Sequence, residues 1–517
     1  MPMKKRFRLT RRETIKSLAS IGLLPSVASL QENIKMRDIT EMSASVLSAL
    51  IRDRVLSCEE VMQEYLSKIN KYNPTYNAIV SLVDKNILID QAKNADLELE
   101  KGIYRGWMHG MPHAVKDLAY AKGLYTSEGS PIIAGSLSIK DDLFVSRIRN
   151  AGAIFIGKTN TPEFGLGSQT YNEVFGATRN AYDPSKTAGG SSGGAAVGLA
   201  TQMLPVADGS DMMGSLRNPA AFNNVIGFRP SQGRVPVYYA YYPNTDTFYQ
   251  QLSTEGVMGR NVEDTMRLLS TIAGPDDRVP LSLKDKMPSY ESLKSVNLSG
   301  LKIGWLGDYN GYLPLESGVL ELCEKAISSL EIHGTRIEPC HPNFDMSLLW
   351  ETWLVLRHWS NLWGKSYLED PEMKALLKPE LIWEIEGALR VTAPQLSDAG
   401  VQRIRWYQSL MKLFEDYDFL ALPSAQVFPF PVEINWPKSI NSVPMDTYHR
   451  WMEIVIGGTL SGLPVINLPA GFDNTGRPMG IQFIGKMGRD AELIEFAMSY
   501  ETATNFLEIR PKLVTMT

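Results

Sequence analysis

Short apolar strands alternate with longer helical stretches along this chain, and that alternation predicts the α/β class. Three kinds of segment carry the prediction. Residues 37–105 read as helical. Apolar residues recur there at three and four positions in Ser45-Val46-Leu47-Ser48-Ala49-Leu50-Ile51 and Glu60-Val61-Met62-Gln63-Glu64-Tyr65-Leu66. Ala153-Ile154-Phe155-Ile156 is a short β-rich run between glycines, which predicts a buried strand. Leu301-Lys302-Ile303-Gly304-Trp305-Leu306 reads the same way, and Phe419-Leu420-Ala421-Leu422-Pro423-Ser424 reads as a strand stopped by proline. Between these, Ala195 to Ala200 is small and apolar and predicts a closely packed helix after a glycine turn.

The 517 residues are 44% hydrophobic, ample for a large core, and length alone allows two to four domains. A net charge of −5 gives no sign of a nucleic-acid partner. Cys58, Cys323 and Cys340 are odd in number and widely spaced, against a disulfide framework or a cysteine-rich metal site. Six histidines without paired spacing give no zinc pattern. No apolar run approaches the roughly 18 residues that span a bilayer.

The chemistry is concentrated in one lysine and two serines. Lys116 lies in His113-Ala114-Val115-Lys116-Asp117-Leu118. Ser191 lies in Gly189-Gly190-Ser191-Ser192-Gly193-Gly194, and Ser215 in Asp211-Met212-Met213-Gly214-Ser215-Leu216-Arg217. A serine hydroxyl is a poor nucleophile until a base takes its proton. A lysine serves as that base only where burial or nearby positive charge lowers its pKa. Glycine-rich backbone lets main-chain N–H groups reach a developing oxyanion. Ala114, Val115 and Leu118 are compatible with a buried Lys116. The competing reading is a structural ion pair between Lys116 and Asp117 or another acid.

These motifs resemble those of the amidase signature hydrolases. The resemblance starts at Gly110-Met111-Pro112-His113-Ala114-Val115-Lys116-Asp117 and continues through Gly157-Lys158-Thr159-Asn160-Thr161-Pro162-Glu163-Phe164 and Gly176-Ala177-Thr178-Arg179-Asn180. It takes in both serine motifs and Gly227-Phe228-Arg229-Pro230-Ser231. It resumes at Ser461-Gly462-Leu463-Pro464-Val465-Ile466-Asn467-Leu468-Pro469-Ala470-Gly471-Phe472 and Met479-Gly480-Ile481-Gln482-Phe483-Ile484-Gly485. It implies one large α/β domain over residues 31–517, with a mixed central β-sheet flanked by α-helices. It implies an amide hydrolase acting on a small molecule through an acyl-enzyme on Ser215, with no metal or organic cofactor. Ser191 would sit on a non-proline cis peptide and relay the Ser215 proton to neutral Lys116. Backbone N–H groups of Met212, Met213 and Gly214 would hold the oxyanion. Esters would be a further substrate class. Two alternatives stay open: an amidotransferase A-type subunit, and a catalytically inactive binding protein that keeps the fold.

One departure from the family pattern concerns the nucleophile loop, where Met212-Met213 replaces the usual Thr-Gly. The expectation is a narrower, more apolar acyl site; the competing reading is that both methionines pack core. Asp211 and Arg217 are expected to hold the loop as structural partners. Residues 235–460 are the least family-like and rich in aromatics, with Tyr238 to Tyr242 the best lid or pocket-loop candidate.

Two other motifs compete. Gly152-Ala153-Ile154-Phe155-Ile156-Gly157-Lys158-Thr159 matches the phosphate-loop pattern, but its middle reads as a strand, whose N–H groups are tied up in a sheet. Gly189-Gly190-Ser191-Ser192-Gly193 fits a nucleophile elbow, which needs a later acid and histidine and leaves Lys116 and Ser215 unexplained.

The first 30 residues differ from the rest. Lys4, Lys5, Arg6, Arg8, Arg11, Arg12 and Lys16 stand against Glu13 alone in residues 1–16, a net of +6. An apolar stretch, residues 17–30, follows. A basic region before a short apolar one is the layout of an export signal, and Thr10-Arg11-Arg12-Glu13-Thr14-Ile15-Lys16 looks like a twin-arginine leader. The expectation is an exported, periplasmic protein; the alternative is a basic helix on a cytoplasmic one.

Overall fold

A computed structural model describes residues 38–249 and 251–515; the expected export signal, residues 1–30, lies outside them. The stretch read as helical resolves into Ala44–Arg52, Cys58–Tyr76 and Lys85–Glu100, with a two-residue strand, Ile79–Val80, between the last two. Local chemistry sets these ends. Ser57 accepts from the Glu60 amide while Glu60 reaches back to the Ser57 amide, a reciprocal cap. Asn77 ends that helix in the left-handed region, φ 48°.

The centre is an eight-stranded mixed sheet. Its spatial order is Arg336–Pro339, Lys302–Trp305, Phe419–Pro423, Pro478–Ile484, Val465–Phe472, Ile226–Arg229, Thr254–Gly259 and Ala207–Asp211. The first three strands run parallel, and every later pairing is antiparallel. A three-stranded sheet stands beside it, in which Ile154–Thr159 pairs antiparallel with Ile79–Val80 and parallel with Pro112–Lys116. Helices such as Arg217–Phe222, Val319–Ser328 and Asp490–Thr504 pack on the large sheet. One continuous apolar core joins nearly all these elements, with a small satellite of Leu166, Leu377, Leu381 and Ile385. This is the α/β architecture expected from the sequence.

The predicted helix is Gly193–Ala200, and all eight of its residues are buried. Gly194 makes that approach possible: a Cβ there would stand 2.3 Å from Asn160 N and 2.4 Å from Ala78 O, both backbone atoms. The phosphate-loop look-alike lies in the Ile154–Thr159 strand, where the buried Lys158 donates to the Ala119 carbonyl. The three cysteines are free and buried. No helix among the described residues is long and apolar enough to cross a membrane.

Candidate active site

Lys116 is the last residue of the buried Pro112–Lys116 strand, and Asp208 fixes that strand against the large sheet. Asp208 Oδ2 accepts from the Lys116 amide at 3.1 Å, and Oδ1 lies 2.8 Å from His113 Nε2. Lys116 Nζ then reaches four oxygens: Ser191 Oγ at 2.8 Å, Ser192 Oγ at 2.9 Å, Ser210 Oγ at 3.0 Å and Ser210 O at 3.3 Å. No carboxylate is in salt-bridge contact with Lys116 among the described residues. Asp117 is instead engaged by Ser127 and lies 3.7 Å from Lys158 Nζ, so the ion-pair reading of Lys116 with Asp117 gives way.

Ser191 follows a cis Gly190–Ser191 peptide. Its neighbour Ser192 donates its amide to Ser215 O at 3.2 Å, which ties the two serine motifs together. Ser215 is 8% exposed, and its Oγ forms no hydrogen bond among the described residues. The loop before it is braced by Asp211, which accepts from Gly214 N at 2.9 Å and Leu216 N at 3.1 Å. Arg217 clamps the same carboxylate with Nε at 3.0 Å and Nη2 at 2.9 Å, and also donates to Val455 O and Gln482 Oε1. Asp211 and Arg217 thus hold the loop from beneath, both fully buried.

The structure gives the Gly214 amide to Asp211 and leaves the Met212 and Met213 amides without a hydrogen bond among the described residues. The Ser215 amide is also unpaired there, a donor that the motifs alone did not point to. Met213 packs in the core at 7% exposure, whereas Met212 is half-buried, with its Sδ 2.7 Å from Arg357 Nη1. The side chain beside the nucleophile loop therefore meets a polar cluster, in which Arg357 Nε donates to Glu384 Oε1 at 2.9 Å and Tyr448 OH to the same oxygen at 2.7 Å. His358 and His449 belong to this cluster, and no histidine hydrogen-bonds to Ser191 among the described residues.

Residues 60–494 match the Amidase family. The chain belongs to that family. It is 30% identical to the acylamidase of Rhodococcus erythropolis over 93% of this chain and 97% of the relative. It is 32% identical to the A-type subunit of the glutamyl-tRNA(Gln) amidotransferase of Coxiella burnetii over 90% of this chain and 97% of the relative. The crystal structure of a bacterial aryl acylamidase of the amidase signature enzymes superposes with a TM-score of 0.84 at 25% identity, covering 90% of this chain and 98% of that one. The protein is an amide hydrolase of this family.

The electrostatics of the amidase site turn on a second buried acid. Ser210 and Glu255 are directly opposed on adjacent antiparallel strands, so their side chains share a face. Burial lowers the Lys116 pKa from 10.5, against the pull of Glu255, Asp208 and Asp211. Burial likewise raises the Glu255 carboxyl above its ordinary 4.5, against Lys116. At Asp211 burial is outweighed by Arg217 and Arg229, which hold that carboxyl at about 2. Ser192, Ser210 and Glu255 were not singled out in the sequence. The signal for Glu255 was available: it is the single charged residue in the strand Thr254–Gly259.

Proposed function

We propose that this amidase works through acyl transfer to Ser215, with Ser191 and Lys116 carrying the proton. The observation that bears most weight is the 2.8 Å separation of Lys116 Nζ and Ser191 Oγ in a fully buried cluster without a carboxylate ligand to the amine. Neutral Lys116 takes the Ser191 hydroxyl proton as Ser191 takes that of Ser215. Ser215 Oγ bonds to the amide carbonyl carbon, and the oxygen becomes an oxyanion facing the unpaired amides around Met212 and Met213. The proton returns through Ser191 to the amide nitrogen as the C–N bond breaks, because an unprotonated amide nitrogen leaves poorly. Water repeats the sequence on the acyl-enzyme and releases the carboxylic acid.

The test is turnover of a panel of amides and esters by wild type, Ser215→Ala, Ser191→Ala and Lys116→Ala. Amide hydrolysis lost in Ser215→Ala and strongly reduced in the other two supports the relay. Activity that survives Ser215→Ala but not Ser191→Ala moves the nucleophile to the glycine run. Folded proteins without activity on any substrate favour an inactive binding protein.

The likeness to the A-type component of an amidotransferase supports a second reading, work within a tRNA-dependent complex, which co-purifying partner chains would favour. The basic and apolar first 30 residues weigh against it. From them we infer export, to the periplasm by the twin-arginine route. Cell fractionation that finds the full-length chain only in the cytoplasm would overturn this.

A further inference from the structure

Beside the relay lies a carboxylate that the chemistry above does not use. Glu128 Oε1 accepts from Tyr120 OH at 2.6 Å, and Glu128 has no other side-chain partner and no ion pair among the described residues. The nearby Lys158 is already engaged by Ala119 and Asp117. Aromatic rings cluster near this acid. Tyr120 lies 6.2 Å from Tyr242. Phe164 lies 5.1 Å from Trp363 and 6.0 Å from Tyr367, and those two rings are 5.8 Å apart.

This cluster abuts the relay. The Phe164 amide donates to Glu128 O at 2.7 Å, and a Cβ on the next residue, Gly165, would stand 3.5 Å from Ser191 Oγ. Tyr242 and Trp363 are each 50% exposed, so the cluster opens to solvent. Glu128 and Phe164 are both held in the left-handed region, φ 51° and 47°. Side chains with a Cβ avoid that region, and residues kept there by their surroundings gather at functional sites. Burial raises the Glu128 carboxyl to about 7, opposed by the Tyr120 hydrogen bond and Lys158 and helped by Asp117 and Asp142. An incoming cation would meet both that carboxylate and the negative faces of the rings.

We propose that Glu128 with Tyr120, Tyr242, Tyr367, Trp363 and Phe164 forms a cation-reading subsite, and that the preferred amides carry an ammonium or guanidinium group. This rests on the amide-hydrolase reading and specifies its substrate class.

The experiment compares kcat/KM of the purified full chain on two matched pairs of amides. In one pair the acyl part ends in trimethylammonium or in tert-butyl; in the other the amine part does. A preference of about tenfold for the cationic member of at least one pair is expected. That ratio should fall toward one in Glu128→Gln and below one in Glu128→Lys. Tyr242→Ala, at a half-exposed ring, should lower it too, and serves if a Glu128 variant does not fold. Equal turnover of both members in both pairs, or a preference kept in Glu128→Gln, overturns the subsite and leaves the hydrolase intact. Turnover of no amide at all removes the underlying reading.

Discussion

Ser210 and Glu255 face each other across two antiparallel strands, and Ser210 Oγ is also 3.0 Å from Lys116 Nζ. Lys116 and an acid without an ion-pair partner among the described residues therefore share one buried chamber. His113, paired to Asp208, and Asp211, paired to Arg217, are titratable neighbours of it, with Lys158 near Asp208, Arg229 near Asp211, and Asp142 and Tyr239 on the Glu255 side.

The chamber gives a pH prediction with a definite sign. Only neutral Lys116 takes a proton, so kcat/KM should rise with pH through the Lys116 titration, below the ordinary lysine range because burial disfavours the ammonium. Anionic Glu255 opposes that shift by stabilising the ammonium. Glu255→Gln removes the opposition, so the rising limb should move to lower pH. The profile of kcat/KM on a neutral amide from pH 5 to 10 is the measurement. A limb that stays in place or moves upward would show that Glu255 does not govern Lys116.

A second prediction concerns stability. Arg217→Met would leave the fully buried Asp211 carboxylate with Arg229, Nε 3.7 Å away, as its one ion-pair partner among the described residues, beside the Gly214 and Leu216 amides. Removing one partner of a buried pair costs about 3–5 kcal/mol. Urea unfolding should show a loss of that order, and Asp211→Asn in the same chain should recover part of it. An Arg217→Met protein as stable as wild type yet inactive would instead give the arginine a direct part in the chemistry.

The strands with apolar runs were legible in the sequence, and the one that organises the site was not. Ala207–Asp211 reads Ala-Asp-Gly-Ser-Asp, without a β-branched or aromatic residue, yet every position is buried. It is stable there because each polar side chain finds a distant partner: Asp208 meets His113, Ser210 meets Lys116, and Asp211 meets Arg217. Such pairings follow from the order of strands in the sheet, which local periodicity does not encode. Lys116, Ser191 and Ser215 stood out by residue type, and the structure brings Lys116 Nζ within 2.8 Å of Ser191 Oγ. The direction of the Gly214 amide was not legible, because it depends on how Asp211 turns.

The helix that follows Ser191 tests close packing. Gly194→Ala would place a Cβ on two backbone atoms that cannot yield, whereas at Gly198 the nearest atom is Leu204 Cδ1 at 2.8 Å, the end of a side chain. Overpacking costs about 1–3 kcal/mol and more where backbone must shift. Gly194→Ala should therefore be clearly less stable than Gly198→Ala in thermal unfolding, and should lose activity as Ser191 moves with the helix. Equal stability of the two would mean that the helix slides freely at its start.

The two methionines before Ser215 should separate into different roles. Met213 is core, and Met213→Ala should cost about 2–5 kcal/mol, the range for a large buried side chain cut to alanine. Its effect on short and bulky acyl groups should be equal, since a lost core contact lowers the folded fraction for every substrate alike. Met212 is half-buried, with its carbonyl held by Thr459 at 2.6 Å and its sulfur against Arg357. Met212→Ala removes that sulfur and leaves an Arg357 N–H free beside the nucleophile loop, so relative rates on acetyl and benzoyl amides should change while stability changes little. Unfolding curves and that rate ratio for both variants decide the matter. A ratio altered by Met213→Ala and not by Met212→Ala would put the acyl pocket on the opposite side of the loop from Arg357.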